Sequence, residues 1–178
     1  MVYYINILEV ESMTVLIRKA TSNDWEQIKY IYEAGIATKN ATFESQSPST
    51  FEDWLGNANP SCTLVAESGS TLLGWCKLTP VSYRKVYSGV GELSIYVHPD
   101  AKGQGVGSML LQSIIEHSEA EGFWTLESKI FGENEASLQL HKKNGFRIVG
   151  VREKIGKQDG IWRDILLLER RSPLVGRD

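Results

Sequence analysis

Apolar residues along the chain follow two spacings, and each spacing predicts a different kind of element. Short runs of Val, Leu, Ile and aromatic residues, bounded by Gly, Ser, Asn or Pro, predict strands. Longer segments in which apolar residues recur at steps of three and four predict helices with one buried face. Strand-like runs occur at 15–18, 63–67, 72–78, 92–97, 123–131, 146–154 and 162–169.

Two helices are predicted between the first and second strands. Thr21 and Asp24 form an approximate capping pair before the first helix, whose apolar positions begin at Trp25. In the segment "PSTFEDWL", Ser49 is the predicted cap of the second helix and Glu52 stands at its capping-box position.

Two more helices are predicted later in the chain. One follows a cluster of three glycines, carries an apolar stripe and ends at Gly122. The other is "NEASLQLHKKNG", with Asn134 as its cap and Gly145 just beyond its end. The predicted order is β α α β β β α β α β β, in one domain over residues 13–178 with residues 1–12 as an N-terminal extension.

The composition is that of a folded domain without a polyanionic partner. Of 178 residues, 42% are hydrophobic and 23% are charged, and the net charge is -3 with Lys and Arg dispersed. Because nucleic-acid-binding domains carry a basic patch, we expect no nucleic-acid partner. The first residues, "MVYYINILEVES", have no basic region before their apolar run and predict neither a signal peptide nor a membrane span.

Cysteine usage bears on metal binding and location. Cys62 and Cys76 are the only cysteines, and both lie in strand-like segments without the spacing of metal ligands. We therefore expect no metal site. A chain that does not depend on disulfides suits a reducing compartment, which predicts a cytoplasmic protein.

The segment "KGQGVG" places Gly103, Gly105 and Gly107 between a predicted strand and a predicted helix. Dinucleotide-binding turns read GxGxxG and NTPase phosphate loops read GxxxxGK followed by Ser or Thr, so both classes are excluded. The free amides and the positive end of a helix N-terminus favour an anion such as phosphate. A sharp turn with no ligand is the alternative, but it needs fewer glycines.

This stretch resembles motif A of the GNAT N-acetyltransferase superfamily, [QR]xxGx[GA], with Lys102 where Gln or Arg is usual. "NEASLQLHKKNGF" is similar to a second, helical motif of the same superfamily. "TFES", "YRKVYSGVGELSIYVHP" and "GKQDGIWRD" add a resemblance to the phosphinothricin acetyltransferase branch, which includes enzymes that acetylate methionine sulfone and methionine sulfoximine. The resemblance covers residues 13–170.

The resemblance implies a fold and an activity. The GNAT fold is of the α/β (α+β) class, with a twisted, mixed and mostly antiparallel sheet of seven strands flanked by four helices. The implied reaction is direct transfer of acetyl from acetyl-CoA, the co-substrate, to the α-amino group of a small amino acid or analogue. The implied assembly is a homodimer.

Two residues are candidates for the chemistry, which needs a neutral amine, a stabilised oxyanion and a proton for the departing thiolate. Glu92 matches the carboxylate assigned as general base in this branch, and an ordinary salt bridge at a strand end is the alternative. His141 stands where many members have a Tyr that protonates the thiolate. It is expected to be an acid or a hydrogen-bond donor to the coenzyme, and a purely structural histidine is the alternative.

The resemblance also implies the groups that hold acetyl-CoA. The backbone of residues 95–97 would pair with the pantetheine arm or donate to the oxyanion, the glycine turn would hold the pyrophosphate, and Asn134 would bond the pantetheine besides capping its helix. The full set is Ile95, Tyr96, Val97, Lys102, Gly103, Gln104, Gly105, Val106, Gly107, Ser108 and Asn134.

For the acceptor, the loop "SYRKVY" places a cation between aromatic residues. Arg84 can pair bidentately with a carboxylate or phosphinate, and Tyr83 and Phe43 match positions that line the acceptor pocket in the branch. The alternative is a solvated arginine on a loop. Trp162 is expected in core or dimer packing.

Two other functions stay open. One is an acetyltransferase for another amine, such as a polyamine or a protein N-terminus, although Arg84 argues against a cationic acceptor. The other function is acyl-CoA binding without turnover, against which Glu92 and His141 argue because a pure binder needs neither.

Overall fold

The computed structural model describes residues 14–177. The predicted extension over residues 1–12 and the boundary that follows it lie outside the described residues. The predicted order of elements is confirmed. The elements are β1 (Leu16–Lys19), α1 (Trp25–Ala37), α2 (Phe51–Leu55), β2 (Thr63–Ser68), β3 (Thr71–Pro80), β4 (Val90–Val97), α3 (Val106–Ala120), β5 (Thr125–Phe131), α4 (Glu135–Lys143), β6 (Arg147–Gln158) and β7 (Ile161–Arg171).

The helix starts follow the predicted chemistry with one exception. Thr21 and Asp24 do form a capping box, around a one-turn 3-10 helix that leads into α1. The cap of α2 is Thr50, whose hydroxyl accepts from the Asp53 amide at 3.1 Å. The prediction of Ser49 was wrong by one residue, because α2 begins where Trp54 falls on the face packed against the core.

The described strands form one seven-stranded sheet in the order β1-β2-β3-β4-β5-β7-β6. β4 and β5 are parallel, whereas all other neighbours are antiparallel. The mixed, mostly antiparallel sheet is therefore confirmed. α3 is the crossover that a parallel pair requires.

β4 and β5 separate after three paired positions. Their ladder ends at Glu92, opposite Glu127. β4 continues to Val97 on β3, and β5 continues to Phe131 on β7. The sheet therefore opens between the two strands, and beyond Glu92 one edge of β4 has no neighbouring strand in the described sheet.

Two apolar clusters hold helices against the two faces of the sheet. On one face α3 buries Leu110, Leu111 and Ile114, the predicted stripe, in a cluster that includes Cys76. Trp75, the neighbour of Cys76 in β3, points to the other face because strand side chains alternate. The cluster there comprises Ile28, Ile31, Trp54, Val65, Leu72 and Trp75. None of the helices within residues 14–177 is long and apolar enough to cross a membrane.

Candidate active site

A cavity of about 1060 Å³ lies where β4 and β5 separate. Its walls come from α1, the loop at 38–44, β4, the turn before α3, β5, α4 and β6. The predicted backbone segment 95–97 lines it. Because β4 has no strand on this edge, its peptide groups there can pair with an extended ligand.

The glycine turn forms one end of the cavity. Gly103 and Gly105 have φ of +78° and +83°, a conformation that side-chain-bearing residues rarely adopt. Gly105 is the N-cap of α3 and no side chain caps the helix. The first amides of α3, at Val106, Gly107 and Ser108, are therefore available to an anion at the positive end of the helix.

The three glycines have two different causes. A Cβ on Gly103 or Gly105 would meet nothing within 4 Å, so backbone conformation alone requires glycine there. A Cβ on Gly107 would lie 3.0 Å from the Leu140 side chain of α4, so this glycine serves close packing. The free amides of the turn suit the phosphates of a coenzyme. Only Gly103 and Gly105 are required for the conformation of this turn, since Gly107 serves packing against α4.

The residues flanking these glycines differ in their placement. Lys102 lines the cavity. Gln104 does not, because its side-chain amide turns back and donates to the Asp100 carbonyl at 2.7 Å. The predicted contact of Gln104 with the coenzyme is thus restricted to its backbone.

Glu92 stands at the point where the strands part. Its carboxylate Oε2 accepts from the Lys129 ammonium at 2.6 Å, and the two side chains are 35% and 44% exposed. Both residues line the cavity. The carboxylate is thus accessible to a ligand and already holds an ammonium group.

His141 lies on α4 and lines the cavity, although its side chain is almost completely buried. Its Nδ1 donates to the Ser137 carbonyl at 2.8 Å, which assigns the proton to Nδ1. Burial lowers the pKa of His141. Its Nε2 has no hydrogen-bond partner among the described residues.

The neutral ring therefore presents an acceptor at Nε2. The predicted roles as acid or hydrogen-bond donor do not fit this tautomer, because the only ring proton is used within the helix.

Asn134 caps α4 as predicted. Its Oδ1 accepts from the Ser137 amide at 3.1 Å, and its Nδ2 donates to the Asn40 carbonyl at 2.9 Å. Asn134 also lines the cavity. The side chain joins α4 to the loop that forms the opposite wall.

The other side of the gap is aromatic. Phe43 lines the cavity and its ring meets the Phe131 ring edge to face, with centroids 4.7 Å apart. Tyr83 is fully exposed, and the Arg84 guanidinium lies over the Tyr87 ring at 5.4 Å. Within one chain, neither Tyr83 nor Arg84 lines the cavity, so the structure does not bring them to Phe43.

The family model described as "Acetyltransferase (GNAT) family" matches residues 25–146. This chain belongs to the GNAT acetyltransferase family. It is an N-acetyltransferase, and the GNAT fold expected from the sequence is confirmed. Within residues 14–177, no group of three or more His, Cys, Asp or Glu side chains is arranged so that it could hold a metal ion.

Curated relatives of this GNAT domain have related names. It is 34% identical over 169 residues to phosphinothricin N-acetyltransferase of Alcaligenes faecalis, covering 92% of this chain and 85% of the relative. It is 26% identical over 163 residues to L-methionine sulfoximine/L-methionine sulfone acetyltransferase of Pseudomonas aeruginosa, covering 88% of this chain and 94% of the relative.

Solved structures resemble the GNAT domain over most of its length. A phosphinothricin acetyltransferase from Sinorhizobium meliloti in complex with AcCoA has a TM-score of 0.80 at 29% identity, covering 89% of each chain. The ribosomal-protein-alanine N-acetyltransferase from Brucella melitensis has a TM-score of 0.82 at 29% identity, covering 88% of this chain and 99% of that chain.

Several residues that line this GNAT cavity were not predicted from the sequence, among them two in β5. Lys129 and Ser128 are neighbours in β5 and both line it. The Ser128 hydroxyl is buried and has no partner among the described residues. Strand alternation in "TLESKIF" puts the two on opposite faces, but only the pairing of β5 with β4 reveals that they flank the gap.

The GNAT glycine turn allows a matched test. Gly105→Ala and Gly122→Ala each place a Cβ in open space at φ +83°, so both should lose about 1–2 kcal/mol of stability. Only Gly105 lines the cavity. Relaxation of the turn in Gly105→Ala would move its amides. We therefore expect the KM of this variant for acetyl-CoA to rise about tenfold, which corresponds to about 1.4 kcal/mol.

Steady-state kinetics with varied acetyl-CoA, together with urea unfolding, separates the two effects. Equal KM values for acetyl-CoA in the two variants would show that the turn does not take part in coenzyme binding.

Proposed function

We propose that the chain transfers acetyl from acetyl-CoA to the α-amino group of a small amino acid or analogue, of the phosphinothricin, methionine sulfone or methionine sulfoximine type. The observation that carries the proposal is a single cavity that is lined by the turn before α3, by Glu92 and by the aromatic rings of Phe43 and Phe131. One cavity can thus receive both the coenzyme and the amine.

In the proposed complex the chain holds acetyl-CoA mainly by backbone. The amides of residues 103–108 receive the pyrophosphate, the free edge of β4 at 95–97 pairs with the pantetheine arm, and Lys102 and Asn134 lie beside that path. Acetyl-CoA supplies the acetyl group as a thioester. A β4 amide at the gap is placed to donate to the oxyanion.

Glu92 is the proposed general base. An amino group arrives protonated at neutral pH and attacks only after it loses that proton. The carboxylate already accepts from an ammonium, that of Lys129, at 2.6 Å. An acceptor ammonium bound in the same way would give its proton to Glu92, and the neutral amine would then attack the thioester. As the C–S bond breaks, the proton lost by the attacking nitrogen would reach the departing thiolate through water.

His141 is proposed as an acceptor rather than an acid. Its unpartnered Nε2 lone pair can receive a hydrogen bond from a water molecule, the amine or the coenzyme. A buried acceptor without a partner costs stability, which a bound group would recover. This supports a functional role over a purely structural one.

The assembly and location are also inferred. The β6–β7 hairpin exposes large apolar side chains, which favours a protein interface and supports a homodimer. These are Ile148, Val149, Val151, Ile155, Ile161 and Trp162. Free, buried thiols at Cys62 and Cys76 support a cytoplasmic setting, where thiols stay reduced.

A second candidate is acetylation of a protein N-terminus, favoured by the likeness to the ribosomal-protein-alanine N-acetyltransferase. The deciding experiment detects acetylated product by mass spectrometry and thiol release from acetyl-CoA. The acceptors are methionine sulfone, methionine sulfoximine, phosphinothricin, spermidine and a peptide that begins with alanine.

Product with the amino-acid analogues and little with the peptide is the expected result. Product with the peptide alone would replace the proposal by the second candidate, and bound acetyl-CoA with no product would indicate the non-catalytic function.

A further inference from the structure

The Lys129–Glu92 ion pair lies in the cavity at the proposed base. Lys129 lies in β5, two residues beyond Glu127. Glu127 and Glu92 form the last pair of the β4–β5 ladder. The Lys129 ammonium and the Glu92 carboxylate are 2.6 Å apart, and both side chains are partly exposed to the cavity. An acceptor amine bound at Glu92 must therefore meet Lys129.

Stability does not explain the pair. Ion pairs between partly exposed side chains contribute little to folding, because water screens them and the side chains lose entropy. In addition, the Lys129 ammonium already occupies Oε2, one of the two carboxylate oxygens that the proposed base offers to the acceptor ammonium. The lysine therefore stands directly beside an acceptor bound at Glu92.

Other cations near the aromatic wall are engaged elsewhere or lie further from the base. Arg163, stacked on Phe131 at 4.3 Å, bonds the Glu133 carboxylate and the Lys39 carbonyl. Arg152 lines the cavity from β6 and pairs with no carboxylate among the described residues. Lys129 is the cation in direct contact with Glu92.

We propose that Lys129 binds the α-carboxylate of the acceptor and selects free amino acids, an inference that rests on the proposed function. A zwitterion carries an ammonium and a carboxylate on one carbon atom. When the amino acid binds antiparallel to the Lys129–Glu92 ion pair, its ammonium contacts Glu92 and its carboxylate contacts Lys129. Each charge keeps a partner as water leaves the cavity, which avoids the cost of an unpaired buried charge.

Selectivity follows from the same exchange. A carboxamide, a polyamine or a peptide N-terminus displaces Lys129 from Glu92 and offers Lys129 no anion in return. The lysine then stays unpaired or keeps Glu92 occupied. Acceptors without a carboxylate next to the amine are therefore discriminated against at the base itself.

The test compares methionine sulfone with methionine sulfone carboxamide as acceptors of the full-length protein. Wild type prefers the acid. Lys129→Met lowers kcat/KM for the acid by about 10- to 100-fold, the worth of a charged hydrogen bond, and leaves that for the carboxamide unchanged or higher. Lys129→Arg restores most of the preference for the acid. The KM for acetyl-CoA stays unchanged in both variants, which shows that they are folded.

Arg152→Met is the matched control, because it removes a cation that lines the cavity without touching Glu92. It should keep the preference for the acid. Equal losses on both acceptors in Lys129→Met would mean that the lysine only orients Glu92, and loss of the preference in Arg152→Met would assign the carboxylate to Arg152. Either result overturns the proposal for Lys129.

Failure of the proposed function has a different signature. Wild type would then acetylate an alanine peptide and neither methionine sulfone nor its carboxamide. That result would overturn both proposals together.

Discussion

Glu92→Gln is expected to lower kcat by about 100-fold or more, the usual contribution of a positioned general base. The amide keeps the shape of the side chain but cannot take a proton from the acceptor ammonium. The KM for acetyl-CoA should change little, because the glycine turn that is proposed to hold the phosphates is separate from Glu92. Stopped-time assays of thiol release at saturating acceptor measure the effect.

Glu127→Gln is the matched control for this variant. Glu127 lies directly opposite Glu92 in the β4–β5 ladder, but it does not line the cavity. We expect near wild-type turnover from it. A Glu92→Gln enzyme as active as Glu127→Gln would exclude Glu92 as the base and leave the Lys129 pair as an ordinary salt bridge.

Trp75→Ala is expected to lower the free energy of unfolding by about 3–5 kcal/mol, the range for a large aromatic removed from a core. Trp75 is 1% exposed and stacks on Tyr96 with centroids 4.6 Å apart. It also meets Tyr32 and Trp54 edge to face. Because Tyr96 lines the cavity, the KM for the acceptor or for acetyl-CoA should rise as well.

Urea unfolding followed by circular dichroism measures the loss, with Trp162→Ala as control. The Trp162 side chain is 55% exposed in the single chain, so the expected loss there is below about 1 kcal/mol. Trp162 is not part of the core, and concentration dependence of its unfolding would report on the proposed dimer. A Trp75→Ala protein as stable as Trp162→Ala would show that the aromatic cluster does not support the fold.

Local features of the chain were read correctly from the sequence. Helix caps at Thr21 and Asn134 and the left-handed glycine that ends α3 depend on interactions a few residues apart. The error in the cap of α2 was a single residue, because Ser and Thr are both good N-cap residues. The start of the helix at Phe51 is the one that buries Trp54. The motif around Gly103–Gly107 pointed to the family for the same reason, since it lies in one continuous turn.

The candidate site required the tertiary structure, because its decisive contacts join distant parts of the chain. Glu92 and Lys129 are 37 residues apart, and only the parallel pairing of β4 with β5 brings them together. The hydrogen bond from His141 to Ser137 is local, but burial at the cavity wall is what lowers the pKa and leaves Nε2 without a partner.

The sequence by itself determined the order of elements, the glycine turn before α3 and the family, because these depend on short-range spacing and backbone chemistry. The tertiary structure decided where the sheet opens, that Tyr83 and Arg84 lie outside the cavity of a single chain, and that a lysine occupies the proposed base. Strand pairing and burial determine those features, and neither can be obtained from the spacing of residues within one segment.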